Sequence, residues 1–300
     1  MTPLGVYLRG VLMGAADIVP GVSGGTMAFI TGIYDRLLGS IRAFDLRCLR
    51  LLWQGRVRDA WEHVDGGFLL ALVLGILTSI LSLARLVSWL LAEYPVPLWA
   101  FFFGLILASA LVLVRHVPHW TASRVACLLV GLVLAAGIAL SPAVAMAPGL
   151  PGIFLAGFIA ICAMILPGIS GSFILILLGM YGPILNAVKN LELDVMAVFA
   201  LGAGLGLMCF SRLLHWLLHH YHAATMALLT GFLFGSLLVV WPWKHALDWV
   251  LGSDGELRPA QQVPVLPWNF AGEPLLSICV ALMVVGFALV WLVDRRWGDG

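Results

Sequence analysis

The sequence predicts an all-α polytopic membrane protein with an inverted-topology repeat, each half one re-entrant helical hairpin plus three transmembrane helices. Three observations carry this expectation. Apolar residues make up 62% of the 300 positions and charged residues only 10%, one motif interrupts apolar sequence twice, and Arg-rich loops recur at every second turn of the chain. Soluble domains carry roughly 25% charged residues, so the composition excludes an ordinary soluble domain. A single integral membrane domain is expected over 1–300, with a first repeat at 1–145 and a second at 146–300.

The first hairpin is expected near 4–38, where Ala16-Asp17-Ile18-Val19-Pro20-Gly21-Val22-Ser23-Gly24-Gly25 breaks an apolar run. Pro lacks a backbone donor and clashes with the preceding turn, and Gly admits conformations a helix excludes. The second hairpin is expected near 151–188, around Ala163-Met164-Ile165-Leu166-Pro167-Gly168-Ile169-Ser170-Gly171-Ser172. Broken backbone at membrane depth persists only where it is buried in protein or lines a wet cavity, because lipid offers no partner to freed N–H and C=O groups. Six apolar stretches near 67–92, 97–114, 124–141, 195–218, 223–241 and 274–293 approach or exceed the roughly 20 residues that span a bilayer.

Two offsets align the halves. An offset of 147 pairs Ala16, Pro20, Gly21, Ser23, Gly24, Gly32, Tyr34 and Leu38 with identical residues. An offset of 127 pairs 85–112 with 212–239 at eleven identities in 28 positions, among them Arg85 with Arg212, Trp89 with Trp216 and Gly104 with Gly231. Arg, Trp and Gly matches exceed what a shared Leu and Val bias produces, so the halves read as products of one duplication.

Orientation follows from the basic loops, since cytoplasmic loops retain Lys and Arg. Arg36, Arg42, Arg47, Arg50, Arg56 and Arg58, then Arg115 and Arg124, then Arg295 and Arg296 fall on one side, against Lys189, Lys244 and Arg258 on the other. Both termini are therefore expected in the cytoplasm of a bacterial inner membrane. Three crossings per half invert the second half, so the two breaks should meet near the midplane. The 242–273 segment is the longest external loop. No cleaved signal peptide is expected, because the first apolar run leads straight into the motif. The five cysteines are odd in number and scattered, which fits neither a disulfide framework nor a metal cluster.

The motifs suit an anion. Half-helix N-termini present unsatisfied N–H groups and partial positive charge, and Ser23, Gly24, Gly25 and Thr26 from one side face Ser170, Gly171 and Ser172 from the other. One such copy would read as close helix packing, whereas two opposed copies favour a ligand. Arg85 and Arg212 occupy duplicated positions within their spans, and an Arg there should face a partner, a cavity or, by snorkelling, the headgroups. Asp17 has the apolar Met164 as its repeat counterpart and Arg9 has Ala156. For Asp17 a salt bridge with Arg9 or Arg85 and a role in proton coupling both stay open. His215, His219, His220 and His222 read as a solvated helix end.

At these motifs the chain resembles the polyprenyl-phosphate transporter family, bacterial undecaprenyl-phosphate translocases once grouped as a domain of unknown function. The resemblance rests on Gly14 to Thr26 and Ala160 to Ser172 and extends over nearly the whole chain. It implies return of undecaprenyl phosphate from the outer to the cytoplasmic leaflet. Ser23, Gly24, Gly25, Thr26, Ser170, Gly171 and Ser172 would cradle the phosphate, with Arg85 and Arg212 as charged donors. A polyprenyl-phosphate lipid within the membrane is the implied partner; no nucleic acid, cofactor, metal or catalytic residue is expected, coupling to a proton or sodium gradient is open, and so is assembly into a homo-oligomer.

Two other readings compete. Membrane undecaprenyl-diphosphate phosphatases share the outline but carry paired glutamates and an Arg after the motif Ser, whereas here Gly24 and Gly171 follow the serines and no Glu-x-x-x-Glu pair occurs. A carrier of a small soluble anion would use the same half-helix ends.

Overall fold

The structure, a computed structural model, describes residues 1–18, 23–142, 146, 149–251 and 257–297. Pro20 and Gly21 lie outside the described residues. The first break is flanked by α1 (Pro3–Asp17) and α2 (Gly24–Ile30), followed by α3 (Tyr34–Arg42), α4 (Leu46–Trp53) and α5 (Val57–His63). Three long helices come next, α6 (Gly66–Glu93), α7 (Pro95–His116) and α8 (Ala122–Leu140). The second break lies between α9 (Leu150–Ile165) and α10 (Gly171–Leu177), and α11 (Tyr181–Lys189), α12 (Leu193–His220), α13 (His222–Ser236) and α14 (Leu276–Trp297) complete the helices.

Among the described residues five helices, α6, α7, α8, α12 and α14, are long and apolar enough to cross a membrane. The chain is thus a multi-pass, mostly helical membrane protein. The sixth expected span, near 223–241, is shorter than its apolar run. Helix α13 stops at Ser236, whose hydroxyl bonds back to Leu233 O at 2.8 Å, and the chain tightens into turns with Val239 N–H on Ser236 O at 2.9 Å. Back-bonding hydroxyls of this kind bend helices.

Glycines set how the helices pair. In lipid there is no hydrophobic drive between helices, so small residues that let backbones touch provide the attraction. A Cβ at Gly104 of α7 would collide with the Met283 carbonyl of α14, and one at Gly286 with the Phe101 carbonyl, so these helices are in direct backbone contact; Ala100 packs with Cys279 near their starts and Arg115 stacks over Trp291 near their ends, so they run parallel. Gly131 and Gly231 join α8 to α13 in the same way. Gly10 and Gly14 of α1 rest on Leu72 to Ser79 of α6, and Gly157 of α9 rests on Phe199 and Ala203 of α12; in both pairs contacts advance together along the chain, so the helices are parallel. Gly104→Leu is expected to force α7 and α14 apart, costing about 1–3 kcal/mol; a lowered unfolding temperature of the purified protein checks this.

Each break reverses the chain. Thr31, just after α2, lies beside Arg9 midway along α1. Met146, before α9, donates to Leu178 O after α10 at 3.1 Å. The buried core gathers where the reversals meet the bundle, with Met13, Ala16, Met27, Ile165 and Ile169 packed among Ile106, Leu229 and Leu233.

The all-α expectation needs one correction. The 242–273 loop contains an antiparallel hairpin, β1 (Lys244–Leu251) on β2 (Leu257–Pro264), with its pairing interrupted between Ala246 and Trp249. Indole donors fasten its base: Trp241 Nε1 to Val265 O at 2.8 Å and Trp243 Nε1 to Pro274 O at 2.9 Å. The strands pair locally and supply their own backbone partners outside the helical bundle.

Candidate functional site at the meeting of the two hairpins

The two breaks come together in direct hydrogen bonds. The last carbonyls of a helix lack intrahelical partners, and those of α9 are taken by hydroxyls from the first hairpin. Ser23 donates to Met164 O at 3.0 Å, and the buried Tyr34 donates to Ile165 O at 2.9 Å. In return Gly168 N–H donates to Thr26 Oγ1 at 3.0 Å. Gly168 has φ +87°, in the region that favours glycine, and a Cβ there would press on Ser236 Oγ at 2.8 Å. The seam is tight enough that a Cβ on Gly25 would sit 2.9 Å from Ile165 O.

The expected anion donors of the first copy are already engaged. Asp17 Oδ1 accepts from Gly24 N–H at 2.6 Å, so the carboxylate occupies the N-terminus of α2. Ser23 Oγ accepts from Gly25 N–H at 3.1 Å, and Ser23 O accepts from Thr26 N–H at 3.0 Å. Asp17 therefore caps a helix; among the described residues no ion pair includes it. The second copy differs. Ser170 and Ser172 share a hydroxyl hydrogen bond at 2.8 Å, the Ser170 side chain does not cap α10, and the repeat position of Asp17 is Met164. Gly168, Ser170 and Ser236 border a void of about 10 Å³, room for roughly one water.

Arg9 is 7% exposed and holds the arms of the first hairpin together. Its Nε donates to Thr31 O at 3.0 Å, at the C-terminus of α2, and its Nη1 to Gly5 O at 3.2 Å. Arg85 and Arg212 are exposed, and among the described residues neither takes part in the seam's hydrogen bonds. Packing register nonetheless sets their depth. Gly14 lies against Ile76 and Ser79, and Arg85 follows Ser79 by six residues on α6; Gly206 lies against Phe158 and Ile161, and Arg212 follows Gly206 by six on α12. Each Arg thus stands near the level at which the neighbouring hairpin breaks.

Two features escape a reading by motif alone. Tyr34 supplies a seam hydrogen bond, and the signal for it is its identity with Tyr181 in the repeat alignment. A cavity of about 250 Å³ opens beneath the first hairpin, bordered by Tyr34, Asp35, His116, His222 and Asp294. His222, expected as part of a solvated helix end, is exposed at the start of α13 and borders this cavity. Tyr34→Phe should leave Ile165 O without its buried partner and cost about 1–3 kcal/mol, which chemical or thermal unfolding in detergent would register.

Residues 13–258 match the family model described as VCA0040-like, undecaprenyl phosphate translocase-like. The chain is 46% identical to the polyprenyl-phosphate transporter of Vibrio cholerae serotype O1 over 301 residues, covering 98% of this chain and 97% of the relative. It is 30% identical to the polyprenyl-phosphate transporter of Staphylococcus aureus over 253 residues, covering 78% and 85% respectively. No solved structure matches. With a family model over most of its length and a near full-length relative, the chain belongs to the undecaprenyl phosphate translocase-like family.

Proposed function

We propose that the chain carries undecaprenyl phosphate from the outer to the cytoplasmic leaflet of a bacterial inner membrane, with both termini cytoplasmic and the two halves inverted about the hairpin seam. The observation that carries this reading is the seam itself. Two backbone reversals, one from each half of the chain, exchange hydrogen bonds through Ser23, Thr26, Tyr34 and Gly168, which supports halves inverted about them. The relatives, both polyprenyl-phosphate transporters, support the substrate class.

A lipid phosphate moves a charged head through hydrocarbon while its tail stays in lipid, which calls for a polar site open to the side. Ser170, Gly171 and Ser172 are the donors that the protein leaves least engaged. Ser23, Gly24, Gly25 and Thr26 become available when the seam opens and Asp17 leaves the α2 N-terminus. An ionised Asp17 and a phosphate cannot share that end, so protonation of Asp17 or its displacement by phosphate couples binding to opening. Arg85 and Arg212 meet the phosphate on the two approaches, and rocking of the halves exposes the seam to each leaflet in turn.

A transporter reading is favoured over a phosphatase because the motif serines are followed by Gly24 and Gly171, with no paired glutamates to act as acid, base or metal ligand. Native mass spectrometry of the purified protein tests the substrate. Bound polyprenyl phosphate that survives gentle activation is expected; its consistent absence, with a soluble anion retained instead, would replace this reading.

A further inference from the structure

The helical pair α4–α5, between the first hairpin and α6, presents a surface that the transport reading does not use. Helix α4 has two apolar faces. Its inner face sets Cys48 and Leu51 on Ala60 and Val64 in a small separate core. Its outer face places Leu46, Leu49 and Trp53 at 81%, 63% and 95% exposure, with spacings of three and four residues that align them on one side. Val57 and Trp61 of α5 are also exposed. Exposed apolar residues this concentrated mark a contact surface.

The charges select the partner. Between residues 36 and 65 there are six arginines and four acidic residues, an excess of two. The acids are all engaged: Asp65 with Arg36, Asp59 with Arg56, Glu62 with Arg58, and Asp45 with His63. Asp45 also caps α4, and the Cys48 amide above all holds its carboxyl below the usual range. Arg50 flanks the outer apolar face next to Leu46, with Arg47 beyond it; both line a groove shared with Asp59 and Glu62 of α5, and among the described residues neither forms an ion pair. A helix with an apolar face bordered by unpaired arginines has the character of an interfacial helix on an anionic bilayer.

Position points the same way. Only Val64 and Asp65 separate α5 from the first long span, and Arg36 clamps this junction, paired with Asp65 at 2.7 Å and stacked 4.4 Å over the Phe68 ring. The pair is therefore tethered where α6 enters the membrane. We propose that α4–α5 is a membrane-surface anchor, with Leu46, Leu49 and Trp53 set into the boundary between headgroups and acyl chains and Arg47 and Arg50 binding anionic phospholipid headgroups.

The test uses the full chain in nanodiscs of phosphatidylcholine, alone or with phosphatidylglycerol. Subtracting the fluorescence of Trp53→Phe from that of the parent isolates Trp53 among twelve tryptophans. Brominated acyl chains are expected to quench Trp53 several-fold more than an aqueous quencher does when phosphatidylglycerol is present. Arg47→Gln with Arg50→Gln should abolish the dependence on anionic lipid, and Leu49→Glu should return Trp53 to water, with unfolding temperatures unchanged. Trp53 open to the aqueous quencher in both lipids would overturn the proposal. So would Trp53 shielded from the aqueous quencher and from brominated chains alike, which would assign the face to a protein contact. Neither readout depends on transport or on orientation, because both leaflets of the disc have the same composition.

Discussion

Arg85→Ala and Arg212→Ala are each expected to lower polyprenyl-phosphate transport at least tenfold while leaving the unfolding temperature unchanged. The separation of these effects follows from placement. Both side chains are exposed, so truncation removes no core packing. Yet an Arg at membrane depth costs about 2.5–3.5 kcal/mol on insertion scales, and α6 keeps one some eight residues from its end, as α12 does. A charge-assisted hydrogen bond to phosphate contributes about 1.5–3 kcal/mol, and each 1.4 kcal/mol is about tenfold. Arg→Lys should restore only part of the rate, since Lys keeps the charge and loses the planar fork. Flipping of labelled lipid phosphate in proteoliposomes is the measurement. If snorkelling to headgroups were their whole role, alanine would leave the rate intact.

Asp17→Asn is expected to uncouple transport from an imposed pH gradient. Asn keeps a side-chain oxygen for the Gly24 amide, so the cap on α2 survives and only the titrating proton is lost. Asp17→Ala should in addition cost about 1 kcal/mol through the lost cap, and a comparison of the two variants separates coupling from structure. Initial flipping rates with and without a pH gradient check the first claim. A rate that follows a sodium gradient in both parent and Asn variant would remove Asp17 from the coupling step.

The breaks at Ala16 to Gly25 and Ala163 to Ser172 were legible because Pro and Gly are incompatible with the apolar helices around them. Spans α6, α7, α8, α12 and α14 were legible from length and hydropathy. The end of α13 was not, because a hydroxyl back-bond and a 3₁₀-type turn shorten the helix without changing its hydropathy. The β-hairpin was hidden because its pairing lies between segments of one loop, although Ser253-Asp254-Gly255 is a turn signal.

At the site, sequence spacing located the donors without revealing their existing partners. The lone carboxylate at Asp17, opposite Met164, was the visible sign of asymmetry, while its role as the cap of α2 needed the fold. Likewise Arg9 stood out as a charge without a repeat counterpart, but its partner across the hairpin, the Thr31 carbonyl, emerges only when the hairpin closes.

The central claim is that the hairpin seam opens to pass a lipid phosphate. Its most direct test is the purified chain in vesicles holding labelled undecaprenyl phosphate, with a membrane-impermeant reagent reporting the externally exposed fraction. The protein is expected to speed exchange between leaflets well above protein-free vesicles, and Ser23→Ala with Thr26→Val, which remove two hydrogen bonds of the seam and two of its hydroxyl donors, should lower the rate several-fold. Exchange no faster than in empty vesicles, or exchange indifferent to the loss of the seam hydroxyls, would contradict it.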